Sequence, residues 1–255
     1  MDGACAFRPE AWLLSVINCD WRRNSRRQSF EGTRMELTLI NVSAFCDEAV
    51  FREALSVVGQ ERAAAVGKLR TPEAKRLSLG AGLLLRHALC CHGLTPDSVR
   101  IASGKHGKPY LPDFPDICFN LSHSGEYALC AVSDCPVGCD IEQIAEPELR
   151  VAERFFAPSE YALLLTEQDP DKRRLFFYRL WTLKESFLKA TGLGLTLPLN
   201  RFSVDPDTLT VCQSADDRTY RFREYETCIG YRIAVCSAFD EFPCEPRVYA
   251  ADAML

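Results

Sequence analysis

Hydrophobic positions along the chain follow two periods. From Glu36 to Val42 they alternate residue by residue, which predicts a half-buried strand. Glu48 to Val58 and Glu61 to Leu69 follow a helical period, and Pro72 to Cys91 is the clearest helix of the first half. There Pro72 sits where a first-turn proline is tolerated, Leu77, Leu84 and Leu85 share a face, and Gly93 stands just past the end. Strands are predicted at Val99 to Ser103, Ile117 to Ser122 and Tyr127 to Ser133, followed by a turn at Asp134-Cys135-Pro136 and a strand from Val137 to Ile141. The order then recurs, with helices at Pro158 to Thr166 and Lys172 to Thr191 and strands at Thr208 to Gln213, Thr219 to Tyr225 and Tyr231 to Ala238. Helices before strands, twice, predict an α+β fold of two similar halves meeting near residues 134–140, with a site at the junction. The expected division is 35–137 and 138–255, preceded by 1–34 as a leader or flexible extension.

Residues 1–34 carry Arg22, Arg23, Arg26, Arg27 and Arg34 among polar residues without either period, and an alternative role for them is a basic arm on an anionic partner. At 47% hydrophobic and 25% charged the 255-residue chain has an ordinary globular composition, which excludes collagen-like and disordered classes. Thirty Lys and Arg against thirty-five Asp and Glu leave a net charge of −5, which argues against a general nucleic-acid binder. No apolar run reaches the length of a membrane span. Thirteen cysteines occur without a CxxC pair, which points to reduced, mostly buried thiols in a cytoplasmic protein. Cys90-Cys91-His92 lacks a second ligand pair and is expected to be core packing rather than a metal site.

The chemistry concentrates in four places. Asp140 and Glu142 are one residue apart in a predicted strand, so their side chains share a face opposite Ile141. Glu185 and Lys189 share a face of a helix that is otherwise rich in Phe, Trp and Leu, where charges need partners or a ligand. Three carboxylates, Asp140, Glu142 and Glu185, form an all-oxygen set suited to Mg2+, or Mn2+ in its place, with Lys189 near the phosphate such a metal would hold. Gly107-Lys108-Pro109 puts a cation in a constrained turn, and Asn120-Leu121-Ser122-His123-Ser124-Gly125 ends a strand in small polar groups. Ser122 and His123 point to opposite faces, which disfavours a nucleophile and base pair; a phosphate-gripping loop, with Lys108 and Arg76 as further anion ligands, fits better.

The ordered motifs Gly107-Lys108-Pro109, Phe119 to Gly125, Val137-Gly138-Cys139-Asp140-Ile141-Glu142 and Trp181 to Lys189, followed by Gly192-Leu193-Gly194-Leu195, resemble those of the 4'-phosphopantetheinyl transferases of the surfactin-activating type. The resemblance spans roughly Leu37 to Ala238. It implies a monomeric pseudo-dimer that binds coenzyme A and Mg2+ between its halves. It also implies transfer of the phosphopantetheine arm to a serine of an acyl or peptidyl carrier protein, with release of adenosine 3',5'-bisphosphate, in fatty acid, polyketide or nonribosomal peptide synthesis. On that resemblance Asp140, Glu142 and Glu185 are metal ligands, Glu185 is also the base, and Lys189 holds the pyrophosphate. Lys108, Ser122 and His123 meet the nucleotide end, and His123 and Arg76 the 3'-phosphate. Arg62 and Lys68 are further candidates upstream of Arg76, and Cys139 replaces the branched aliphatic residue usual in the family. Two alternatives remain at this level: a Mg2+-dependent phosphohydrolase of a small nucleotide, and a non-catalytic coenzyme A or carrier-protein binder.

Overall fold

Strand alternation and helical stripes build two sheets, each covered by one long helix. The computed structural model describes residues 35–147 and 149–255; the expected leader, 1–34, lies outside them. The helices are α1 (Glu48–Val57), α2 (Gln60–Gly67), α3 (Pro72–Cys91), α4 (Leu149–Phe155), α5 (Pro158–Thr166) and α6 (Pro170–Thr191). The strands are β1 (Met35–Asn41), β2 (Ala102–Ser103), β3 (Pro109–Tyr110), β4 (Cys118–Ser124), β5 (Tyr127–Ser133), β6 (Val137–Gln143), β7 (Ser203–Asp205), β8 (Thr210–Cys212), β9 (Arg221–Tyr225), β10 (Tyr231–Ser237) and β11 (Arg247–Tyr249).

The first sheet runs β11-β1-β5-β4 and the second β6-β10-β9, with β2-β3 and β7-β8 as small ribbons. Leu37 and Leu39 of β1 and Leu129 and Ala131 of β5 meet Val137, Cys139 and Ile141 of β6 and Ile233 and Val235 of β10, so the sheets share one apolar cluster. The opposite face of the first sheet, with Ile40, Ala128, Cys130 and Val132, packs on Leu77, Leu84, Leu85 and Ala88 of α3. The opposite face of the second, with Phe222, Ala234 and Cys236, packs on Leu183, Phe187 and Leu188 of α6. The layers are therefore helix, sheet, sheet, helix, and period-2 alternation decides which core each strand residue enters.

Caps fix the long helices. The Thr71 hydroxyl accepts from Ala74 N at the start of α3, and Asp169 accepts from the N–H groups of Asp171 and Lys172 at the start of α6. Gly192, at φ 70°, ends α6 in the left-handed region that favours glycine.

Four short elements depart from the sequence expectation: α4, β3, β7 and β11. Each is too brief to establish a period. The expected strand from Val99 shrinks to Ala102–Ser103, whose ladder partners are Tyr110 and Pro109. β11, from the far end of the described chain, lies parallel to β1 and extends the first sheet. The thiols also differ from expectation. None of the eleven described cysteines forms a disulfide, but five are buried, two are half-buried and four (Cys46, Cys91, Cys212 and Cys244) are exposed. Cys91 and His92 stand at the exposed end of α3, with His92 Nε2 3.8 Å from Glu36 Oε1 of β1, so they are surface groups rather than core.

Candidate active site

The two halves meet along β4 and β6, and side chains do the joining. Asn120 Oδ1 accepts from Cys139 N at 2.8 Å, Ser122 Oγ from Ile141 N at 3.3 Å and Ser124 Oγ from Gln143 N at 3.0 Å. Partner numbers rise together, so the strands run parallel, with short polar side chains satisfying backbone donors that another strand would otherwise take. Ser122 Oγ donates to Asp140 Oδ1 at 2.9 Å, and Ser124 Oγ to Glu142 Oε2 at 2.8 Å. The two serines therefore hold the two acids in the same register. Ser124 and Asn120 belong to the expected polar run but not to the expected site residues, although the matching spacing of Ser122-x-Ser124 and Asp140-x-Glu142 carries that signal.

α6 lies directly on β6 because Gly138 lets it. A Cβ there would overlap the Ser186 carbonyl oxygen and Ala190 nitrogen and fall 2.8 Å from the Lys189 carbonyl carbon. Asp140 is on the same strand face, and α6 delivers Lys189 to it. Lys189 Nζ donates to Asp140 Oδ1 at 2.6 Å, to Ser122 Oγ at 2.9 Å and to Cys139 O at 3.2 Å. Among the described residues no ion pair joins Lys189 to Glu185, its helical neighbour. Asp140 Oδ2 is buried without a hydrogen-bond partner.

The electrostatics follow from that crowding. Burial pushes Glu142 up to about 7, helped by Asp140, while the Ser124 hydroxyl pulls the other way. Burial and then Asp140 likewise push Glu185 up to about 7. Burial raises Asp140 against the pull of Lys189 and Ser122. Burial works against the Lys189 charge, but Asp140 and Glu185 outweigh it and hold its pKa above the ordinary lysine value. Negative charge is thus in excess, and hard oxygen donors are what Mg2+ takes. The unpartnered Asp140 oxygen and the raised Glu142 and Glu185 fit a divalent cation. Among the described residues, however, no three His, Cys, Asp or Glu side chains are gathered into a metal-holding group.

The remaining candidates stand around this centre. Lys108 reaches from the turn before β3 to the Val137 carbonyl at 2.9 Å and the Ala190 carbonyl at 3.1 Å, so it caps the end of α6 from the other half. Burial lowers it to about 8. His123, next to Ser122 on β4, is depressed to about 4 by burial and by Lys189, with a smaller push from Arg62. Arg62 is buried under α3, beside Gly82. Arg76 is half-buried on α3 and makes no hydrogen bond or ion pair with the other candidates. One buried pair escaped the sequence reading. Lys184, beside Glu185, is fully enclosed, donates to both Glu160 oxygens at 2.6 and 2.8 Å and to Phe202 O at 2.8 Å, and lies 4.3 Å from the Phe202 ring centroid. Glu160 also accepts from Ala157 N and Val204 N.

Two similar α+β halves with one acidic, lysine-fronted site at their seam define the class of protein. Comparison with known proteins gives the family. Residues 46–135 match a model described as 4'-phosphopantetheinyl transferase, N-terminal, and residues 136–236 match the 4'-phosphopantetheinyl transferase superfamily. The chain is 39% identical over 174 residues to the 4'-phosphopantetheinyl transferase Sfp of Bacillus subtilis, covering 67% of this chain and 77% of that protein. It is 35% identical over 208 residues to the 4'-phosphopantetheinyl transferase gsp of Aneurinibacillus migulanus, covering 80% and 86%. A solved holo-[acyl-carrier-protein] synthase of Thermotoga maritima overlaps 40% of this chain and 61% of its own, at 25% identity and a TM-score of 0.33. This chain belongs to the 4'-phosphopantetheinyl transferase family.

Proposed function

We propose that this chain moves the phosphopantetheine arm of coenzyme A onto a serine hydroxyl of an acyl or peptidyl carrier protein and releases adenosine 3',5'-bisphosphate. The family carries the reaction class and coenzyme A as substrate. The phosphohydrolase and non-catalytic readings find no support in the relatives, which are named transferases. The observation that carries the site is the buried Asp140 carboxylate, with one oxygen on Lys189 and the other unpartnered, between two acids of raised pKa.

Asp140, Glu142 and Glu185 would hold Mg2+, or Mn2+ in its place, which would draw charge from the pyrophosphate and ease departure of the bisphosphate. Glu185 also takes the proton of the attacking serine, directly or through water. Lys189 pairs with a pyrophosphate oxygen as charge builds there. His123 faces the nucleotide end and Arg76 the 3'-phosphate, whereas Ser122, expected at the nucleotide end as well, has its hydroxyl on Asp140 and Lys189 and acts by holding them. Lys108 has two of its three N–H groups on backbone carbonyls, which leaves the third for a phosphate oxygen.

The partner is a carrier protein rather than nucleic acid or membrane. No helix among the described residues is long and apolar enough to cross a membrane. Because one chain supplies both sides of the seam, the enzyme acts as a monomer. Free thiols suit the reducing cytoplasm.

The test is intact-mass measurement of a panel of apo carrier proteins after incubation with coenzyme A and Mg2+. A gain of one phosphopantetheine is expected on at least one carrier, and no gain on any overturns the proposal. Glu185→Gln should abolish transfer while leaving coenzyme A binding in place.

A further inference from the structure

Asp140 is served on one oxygen only. Oδ1 takes Lys189 Nζ at 2.6 Å and the Ser122 hydroxyl at 2.9 Å, while Oδ2 is buried and bare. The ammonium is seated by three acceptors at once, since Ser122 Oγ and the Cys139 carbonyl complete its shell. It bypasses Glu185, the acid one turn away on its own helix. Of the three carboxylates read as metal ligands, Asp140 alone is paired with this ammonium among the described residues.

We propose that Lys189 is the built-in counter-cation of Asp140, competing with the divalent metal for that carboxylate until substrate phosphate draws it away. This rests on the reading of Asp140 as a metal ligand. Two cations crowding one carboxylate repel, so metal entry must break or stretch a short charge-assisted hydrogen bond. An arriving pyrophosphate gives the displaced ammonium a new anionic partner. Metal and coenzyme A therefore strengthen each other's binding, and linkage makes the effect reciprocal. Lys189 is the element that couples them.

The experiment is Mn2+ binding to the full chain without coenzyme A, followed by the loss of the free-ion signal in electron paramagnetic resonance, with folding checked by circular dichroism. Lys189→Met should bind Mn2+ about tenfold tighter than the wild type, or more, because the competing charge is gone. Lys189→Gln serves the same purpose if the methionine variant does not fold, and Lys189→Arg, which keeps the charge, should stay near the wild type. Equal or weaker Mn2+ binding by Lys189→Met or Lys189→Gln overturns the competition. Asp140→Asn is the separate control. If it leaves wild-type Mn2+ binding unchanged, the assignment of Asp140 as a metal ligand fails, and the competition falls with it.

Discussion

Gly138→Ala should disable the site without touching any ionisable group. The new methyl would lie 2.8 Å from the Lys189 carbonyl carbon and closer still to the Ser186 oxygen and Ala190 nitrogen, whereas ordinary contact begins near 3.4 Å. All three atoms are helix backbone, which has no rotamer to escape into, so α6 must retreat from β6. The retreat relieves the nearer contacts only at about 1 Å, and a displacement of that size between reacting groups can lower a rate about 100-fold. Overpacking a tight core should also cost about 1–3 kcal/mol of stability. The assay is kcat/KM for carrier modification together with the urea midpoint. Gly67→Ala is the matched control, since nothing lies within 4 Å of a Cβ there. It should leave both measurements near wild type. A Gly138→Ala enzyme with wild-type kcat/KM and an unchanged midpoint would refute the idea that this glycine sets the spacing of α6 and β6.

Two further outcomes follow from buried charges. Lys184→Met removes one partner of an enclosed pair and should destabilise by about 3–5 kcal/mol, and pairing it with Glu160→Gln should return part of that loss. Urea titration of the single and double variants decides this, and an unchanged midpoint in Lys184→Met would contradict it. His123 has a folded pKa of about 4 against an ordinary 6.5, so between those values the unfolded chain binds the extra proton. Stability should therefore fall as pH drops from 6.5 to 4, and His123→Asn, which removes the imidazole beside Lys189 and Arg62, should flatten that slope; superimposable curves would argue against it.

The acids and Lys189 were legible because their signals are local: a period of two places Asp140 and Glu142 on one face, and a helical turn joins Glu185 to Lys189. What those charges do with each other was not. Helical spacing suggests Glu185 as the partner of Lys189, but the ammonium crosses to Asp140, which is visible only once α6 is laid on Gly138. The seam between Asn120, Ser122 and Ser124 and the β6 backbone was equally hidden, because side-chain-to-backbone bonds between distant strands leave no period. Lys184 lies on the helix whose charges need partners, but its own becomes visible only when Glu160, 24 positions away, is brought under it. Cys91 misled in the opposite direction: apolar company in sequence suggests burial, but the last turn of the helix leaves its side chain exposed.

The parallel pairing of β11 with β1 bears on how the chain is made. The first sheet's opening strand and its last edge strand are separated by about two hundred residues of synthesis. While β4 and β5 can close on β1 early, the other edge of β1 has no partner until the segment around Val248 leaves the ribosome. During that interval Thr38 to Ile40 present open backbone hydrogen-bonding groups, the kind of edge on which nascent chains aggregate. Whatever shields that edge during elongation has to act even after β4, β6 and α6 have emerged, until β11 arrives and closes it.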